Sequence, residues 1–154
     1  MRLYLVRHGE ALSESADPER PLNPRGLEDV RKIARTLHRA GARIPVFFHS
    51  TKKRAKQTAE IIKETLDPRA KCISHGYLAP NDSVDEIFTE IGGWDRDTAI
   101  VGHLPFLSYL LSRLVTGGED TPLAAFSTAS VAVLKKKDDG CWTLIALITP
   151  ETAS

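Results

Sequence analysis

Two arginines and two histidines stand where a chain of this kind can act on an anion. Arg7 and His8 directly follow a compact apolar run at 3–6, Arg54 comes shortly after a second run at 44–48, and His103 follows a third at 98–101. Each run is short, apolar and succeeded by a helical pattern, so these positions read as strand ends in an open α/β sheet. Such sheets deliver the loops after their strands, and the next helix N-termini, to one edge where ligands bind. Helix N-termini carry positive partial charge, so that edge favours an anion before any side chain is counted. Guanidinium groups stay charged and match phosphate oxygens in two-pronged geometry. A neutral imidazole offers one lone pair while its other nitrogen donates to a carbonyl.

The elements that must position these residues follow from pattern. Asn23 caps a helix that opens at Pro24 and buries Leu27, Val30, Ala34 and Leu37, after a polar loop at 13–21. Ser50 is the expected cap of a second helix, whose apolar face is Ala55, Thr58, Ala59, Ile62 and Leu66. A strand at 71–74 leads to a third helix carrying Val84, Ile87, Phe88 and Ile91, with Ser83 and Glu86 as its expected capping box. The last helix spans about 105–115, and two strands at 130–134 and 142–148 join through the Asp139-Gly140 turn. The expected fold is a three-layer α/β/α sandwich with a mostly parallel central sheet and a C-terminal hairpin. The 154 residues are expected to form one domain, 1–154.

Composition narrows the function. A formal net charge of +1 gives no global field for nucleic acid or an anionic membrane. The basic run Lys135-Lys136-Lys137, followed by Asp138-Asp139-Gly140, reads as a hairpin tip. Cys72 and Cys141 form no metal or redox motif, which suits reduced thiols and a cytoplasmic location. No apolar stretch approaches the ~20 residues that span a bilayer. There is no His-Glu-x-x-His and no carboxylate cluster near the strand ends, so no metal and no other cofactor is expected.

The motif around His8 then becomes specific. Leu5-Val6-Arg7-His8-Gly9-Glu10-Ala11 resembles the Arg-His-Gly signature of the histidine phosphatase superfamily, also called phosphoglycerate mutase-like. The segment from Ser50 to Glu60 is similar to the family's second block, Ser-x-x-x-Arg-Ala-x-Gln-Thr-Ala, and Val101-Gly102-His103 to its third. Leu22-Asn23-Pro24-Arg25-Gly26 matches the family's opening of the first helix. His103-Leu104-Pro105, Phe126-Ser127-Thr128 and the short chain most resemble the SixA-type phosphohistidine phosphatases within it. The resemblance implies a phosphoglycerate mutase-like fold and makes His8 the nucleophile, phosphorylated in the course of the reaction. Arg7, Arg54 and His103 would form the phosphate pocket, with Gly9 in its wall. A bound dianion would favour charged His103 as a further donor.

One departure bears on the substrate. Where mutases and phosphomonoesterases of the family supply a general acid from Leu-x-Glu, this chain reads Leu78-Ala79-Pro80. Glu86 is expected to be occupied by its capping box, and Gly92-Gly93-Trp94-Asp95 falls in a turn. Asp82 is the remaining candidate acid or substrate-binding residue, with helix capping as its ordinary role. An enzyme lacking a strong acid suits the easily broken P–N bond of phosphohistidine. A short chain without closing segments suits a phosphorylated side chain on another protein, such as a histidine phosphotransfer domain. The alternatives are a small-molecule phosphomonoesterase and a non-catalytic phosphohistidine-binding module. His38, His49 and His75 read as hydrogen-bonded rim residues, and Lys52 and Lys53 as solvated.

Overall fold

The computed structural model describes residues 1–118 and 126–153. Six strands form one sheet: β1 (Arg2–Arg7), β2 (Val46–His49), β3 (Lys71–Ser74), β4 (Thr98–Gly102), β5 (Val131–Lys136) and β6 (Trp142–Ile148). Their order is β3-β2-β4-β1-β5-β6. β3, β2, β4 and β1 run parallel, while β5 and β6 add an antiparallel hairpin at one side. The hairpin turns where the sequence places it, with Gly140 at φ 87°.

Four helices cover the sheet: α1 (Pro24–Arg39), α2 (Lys53–Leu66), α3 (Asp85–Ile91) and α4 (Phe106–Thr116). The uninterrupted apolar run of β1 is explained by burial on both faces. Tyr4 and Val6 pack with Val30, Ile33, Ala59 and Ile62 of α1 and α2. Leu3 and Leu5 face the other way, against Ile87 and Ile91 of α3 and Leu107 and Leu111 of α4. The layers are therefore α1 and α2, the sheet, then α3 and α4.

The cap of α1 forms as the sequence predicts, with Asn23 Oδ1 accepting from the Gly26 amide at 2.7 Å and Pro24 in the first turn. The other two expected caps do not. α2 starts after Lys52, without a side-chain cap, because the Ser50 hydroxyl is drawn to His103. α3 starts after Val84, and no capping box closes there: Ser83 Oγ accepts from the Asp85 amide at 3.2 Å, while Glu86 is exposed. Asp82 caps no helix. Its Oδ2 accepts from the Ala79 amide at 2.9 Å and closes the turn that follows Leu78. Among the described residues no helix is long and apolar enough to cross a membrane.

Candidate active site

Strand register brings the site together. β1 and β2 flank β4, with Arg7 opposite Gly102 and His49 opposite Val101. One residue beyond those pairs, the His8 amide donates to Gly102 O at 3.0 Å and the Ser50 amide to Val101 O at 3.1 Å. The rings of His8 and His103 end with centroids 5.0 Å apart. Arg54 enters from the first turn of α2, so the positive end of that helix faces the same edge.

The flanking motif residues act as struts. Thr58, fully buried in α2, accepts from the Gly9 amide at 3.1 Å and donates to Arg54 O at 2.8 Å, tying the Arg54 turn to the His8 loop. Gln57 Oε1 accepts from the Leu22 amide at 2.8 Å. Gly9 is pressed against α1: a Cβ there would meet Val30 Cγ2 at 2.7 Å and Gly26 O at 3.0 Å. Behind Arg7, the segment Phe126 to Ser130 closes the wall. Arg7 Nη1 donates to Phe126 O at 2.9 Å, and the Ala129 amide, held at φ 61°, donates to both Arg7 O and His8 O.

Protonation states follow from these contacts. His8 Nδ1 lies 2.7 Å from Gly9 O. Since the carbonyl accepts, Nδ1 carries the hydrogen and Nε2 keeps its lone pair. Burial pushes the His8 pKa down to about 4, helped by the charges of Arg54, Arg7 and Arg20 and opposed by the Gly9 hydrogen bond. His103, 2 % exposed, is pushed down to about 3, chiefly by burial and then by His8 and Arg54. Both rings are therefore neutral near pH 7, and His103 acquires charge only if an anion arrives to stabilise it.

Three buried side-chain polar atoms make no hydrogen bond among the described residues: Arg7 Nε, Arg54 Nε and His103 Nδ1. All belong to this site. An unmatched buried polar group costs ~1–3 kcal/mol, so these three are the atoms of the site that a ligand rich in acceptors could satisfy. Burial lowers the pKa of both arginines, which nonetheless stay charged near neutrality.

The remaining candidates fall outside this group. Asp82 sits in its turn with Ala79. His75 is bound at both ring nitrogens, by Glu90 at 2.9 Å and by the Tyr77 amide at 3.1 Å, and His49 Nδ1 pairs with Ser50 O. His38 is exposed at the end of α1, and Lys53 pairs with Glu19 at 3.0 Å. Among the described residues no group of three or more His, Cys, Asp or Glu side chains could hold a metal ion. Two contributors lie beyond the candidate set. Ser50 Oγ, 2.6 Å from His103 Nε2, fixes that ring, and Arg20 lends charge to the pocket. The first carried a misleading signal, because a Ser before a helix ordinarily caps it.

The profile of the histidine phosphatase superfamily (branch 1) matches residues 3–75, which carry Arg7, His8 and Arg54. The phosphohistidine phosphatase SixA of Escherichia coli (strain K12) is 26% identical over 145 residues, covering 91% of this chain and 88% of that protein. A protein of Picosynechococcus sp. without an assigned function is 31% identical over 125 residues, 76% of this chain and 74% of its own. The solved structure of the protein histidine phosphatase SixA complexed with tungstate superposes with a TM-score of 0.86 at 26% identity, over 97% of both chains. With a family profile over residues 3–75, a relative 31% identical over three quarters of both chains and a SixA relative along nearly the whole chain, this protein belongs to the histidine phosphatase superfamily and is a phosphatase.

Proposed function

We propose that this phosphatase removes the phosphoryl group from phosphohistidine on another protein by way of a phosphohistidine intermediate on His8. The observation that carries the reading is the convergence of three unpartnered buried atoms, on Arg7, Arg54 and His103, around an imidazole whose Nε2 lone pair is free. A phosphoryl group supplies acceptors for those atoms.

In the first step His8 Nε2 attacks phosphorus as the substrate P–N bond breaks, and the departing imidazole is neutralised by a proton on its own far ring nitrogen. His8 becomes N-phosphorylated with Nδ1 still protonated and bound to Gly9 O, a cationic ring that leaves readily. Water then attacks phosphorus, the P–Nε2 bond breaks, and His8 returns as neutral imidazole while the water proton passes to phosphate or solvent. Arg7, Arg54 and charged His103 hold the equatorial oxygens through both transfers. Neither step needs a strong acid in the protein, which fits an Asp82 engaged in its own turn.

A protein substrate suits a site at the sheet edge, since among the described residues the helices pack on the two sheet faces. Cys72 and Cys141 are free thiols, which suits a cytoplasmic setting for such a partner. The test compares matched phosphohistidine and phosphoserine peptides. General acid catalysis contributes ~10²–10⁴, so kcat/KM should favour phosphohistidine by at least that order, with Asp82→Asn losing little. Equal rates, with collapse in Asp82→Asn, would assign a phosphomonoesterase instead. Binding without phosphate release would leave a recognition module.

A further inference from the structure

A third arginine reaches the rim of this edge from the loop between β1 and α1. Arg20 is a non-glycine residue held at φ 48°, in the left-handed region. That conformation is strained for a residue with a side chain and persists only where the surroundings enforce it. Here they do: the Arg20 amide donates to Asp17 O at 2.9 Å, Asp17 Oδ1 accepts from the Glu19 amide at 3.0 Å, and Leu12 N–H donates to Pro21 O at 2.9 Å across the base of the loop. Arg20 Nε donates to Leu12 O at 3.0 Å, which fixes the guanidinium plane.

The other edge of that guanidinium is free. Among the described residues its Nη atoms make no hydrogen bond and it joins no ion pair; Glu19, its neighbour in sequence, is taken by Lys53. Arg20 and Arg54 line one cleft of about 490 Å³ with Thr51 and Lys52; Glu14 and Glu19 line it too, Glu19 held by Lys53. After burial, the Arg20 charge also lowers the pKa of His8 and of Arg54, so its field reaches the pocket. Among the described residues neither Arg20 nor Arg54 forms an ion pair with the carboxylates of that cleft, so the two guanidiniums repel one another unless an anion joins them.

We propose that Arg20 is a substrate-binding residue of the phosphatase, whose Nη edge donates to a nonbridging oxygen of the phosphoryl group held by Arg7, Arg54 and His103. The proposal rests on the phosphate-pocket reading given above. Three guanidiniums then surround the transferring group, the third mounted on a preset loop at the rim.

The test is inorganic phosphate as a competitive inhibitor of phosphohistidine-peptide turnover, measured for wild type, Arg20→Gln, Arg54→Gln and the loop-loosening Asp17→Ala. Loss of one charge-assisted hydrogen bond should raise the inhibition constant ~10–10²-fold in Arg20→Gln. Asp17→Ala, which loosens the loop without removing the guanidinium, should weaken phosphate by a smaller factor than Arg20→Gln. If Asp17→Ala weakens phosphate as much as Arg20→Gln, the arginine only braces its loop and the proposal fails. An unchanged constant in Arg20→Gln beside a weakened one in Arg54→Gln overturns the role of Arg20 and leaves the pocket intact. No change in either variant overturns the pocket reading itself.

Discussion

Gly26→Ala sets two effects of opposite sign against each other. Gly26 lies in the first turn of α1, where alanine is the better helix former by ~1 kcal/mol. Propensity alone therefore predicts stabilisation. A Cβ at this position, however, would lie 2.0 Å from Glu10 O and 2.9 Å from both Glu10 C and Glu10 N, where ordinary contact begins at 3.4 Å. All three obstacles are backbone, so the chain must withdraw by roughly 1 Å. Overpacking of this kind costs ~1–3 kcal/mol, which equals or exceeds the helix gain. The segment displaced is two residues from His8 and is bound to α1 through Asn23, whose amide donates to Glu10 O and whose Nδ2 donates to Glu10 Oε1, both at 3.0 Å. Misplacing a reacting group by about 1 Å costs on the order of 10²-fold in rate. Gly26→Ala should therefore lower kcat/KM by about that factor and lower the urea midpoint, with far-UV circular dichroism retained. Activity within twofold of wild type at an unchanged midpoint would refute the view that this contact aims the His8 loop.

Other outcomes follow from the same site. Arg54→Lys keeps the charge but loses the planar fork and the buried Nε, and turnover should fall ~10²–10³-fold; near-wild-type kinetics would return Arg54 to the helix surface. Acidification should destabilise the fold through the two histidines. Their folded pKa values are about 4 and about 3 against an unfolded value near ~6.5, so the unfolded chain binds more protons throughout the interval between. Stability must then drop as pH falls from about 6.5 toward 4, and His8→Ala should flatten part of that drop in urea midpoints taken near pH 7 and pH 5. An identical drop in His8→Ala would show that the His8 ring is not held neutral.

The sequence was readable wherever one residue type had a single structural use. Apolar runs too uniform for a half-exposed sheet announced strands buried on both faces, and β1, β2 and β4 then had to present Arg7-His8, Ser50 and His103 together. Asn23 and Pro24 fixed the start of α1 because an Asn cap followed by Pro in the first turn, ahead of helical apolar spacing, matches a helix entry. The errors fall on residues with two competing uses. Ser50 could cap α2 or bind His103, and the shorter bond to the imidazole prevails, its contact to the Lys52 amide stretching to 3.3 Å. Ser83 and Asp82 close local turns instead of forming the expected caps. Arg20 gave no signal at all, since a left-handed arginine in a polar loop has no pattern to betray it.

Trapping the phosphoenzyme tests the central claim most directly. Wild type and His8→Ala are mixed with a phosphohistidine protein, quenched in alkali, and the acid-labile phosphate on each chain is quantified and located by tandem mass spectrometry. The free Nε2 of His8 predicts phosphate on that residue in wild type and none on the Ala variant, whose fold should persist because the ring belongs to the strand-end site rather than to either core. An Ala variant that accumulates the same phosphoenzyme would place the nucleophile elsewhere and contradict the account.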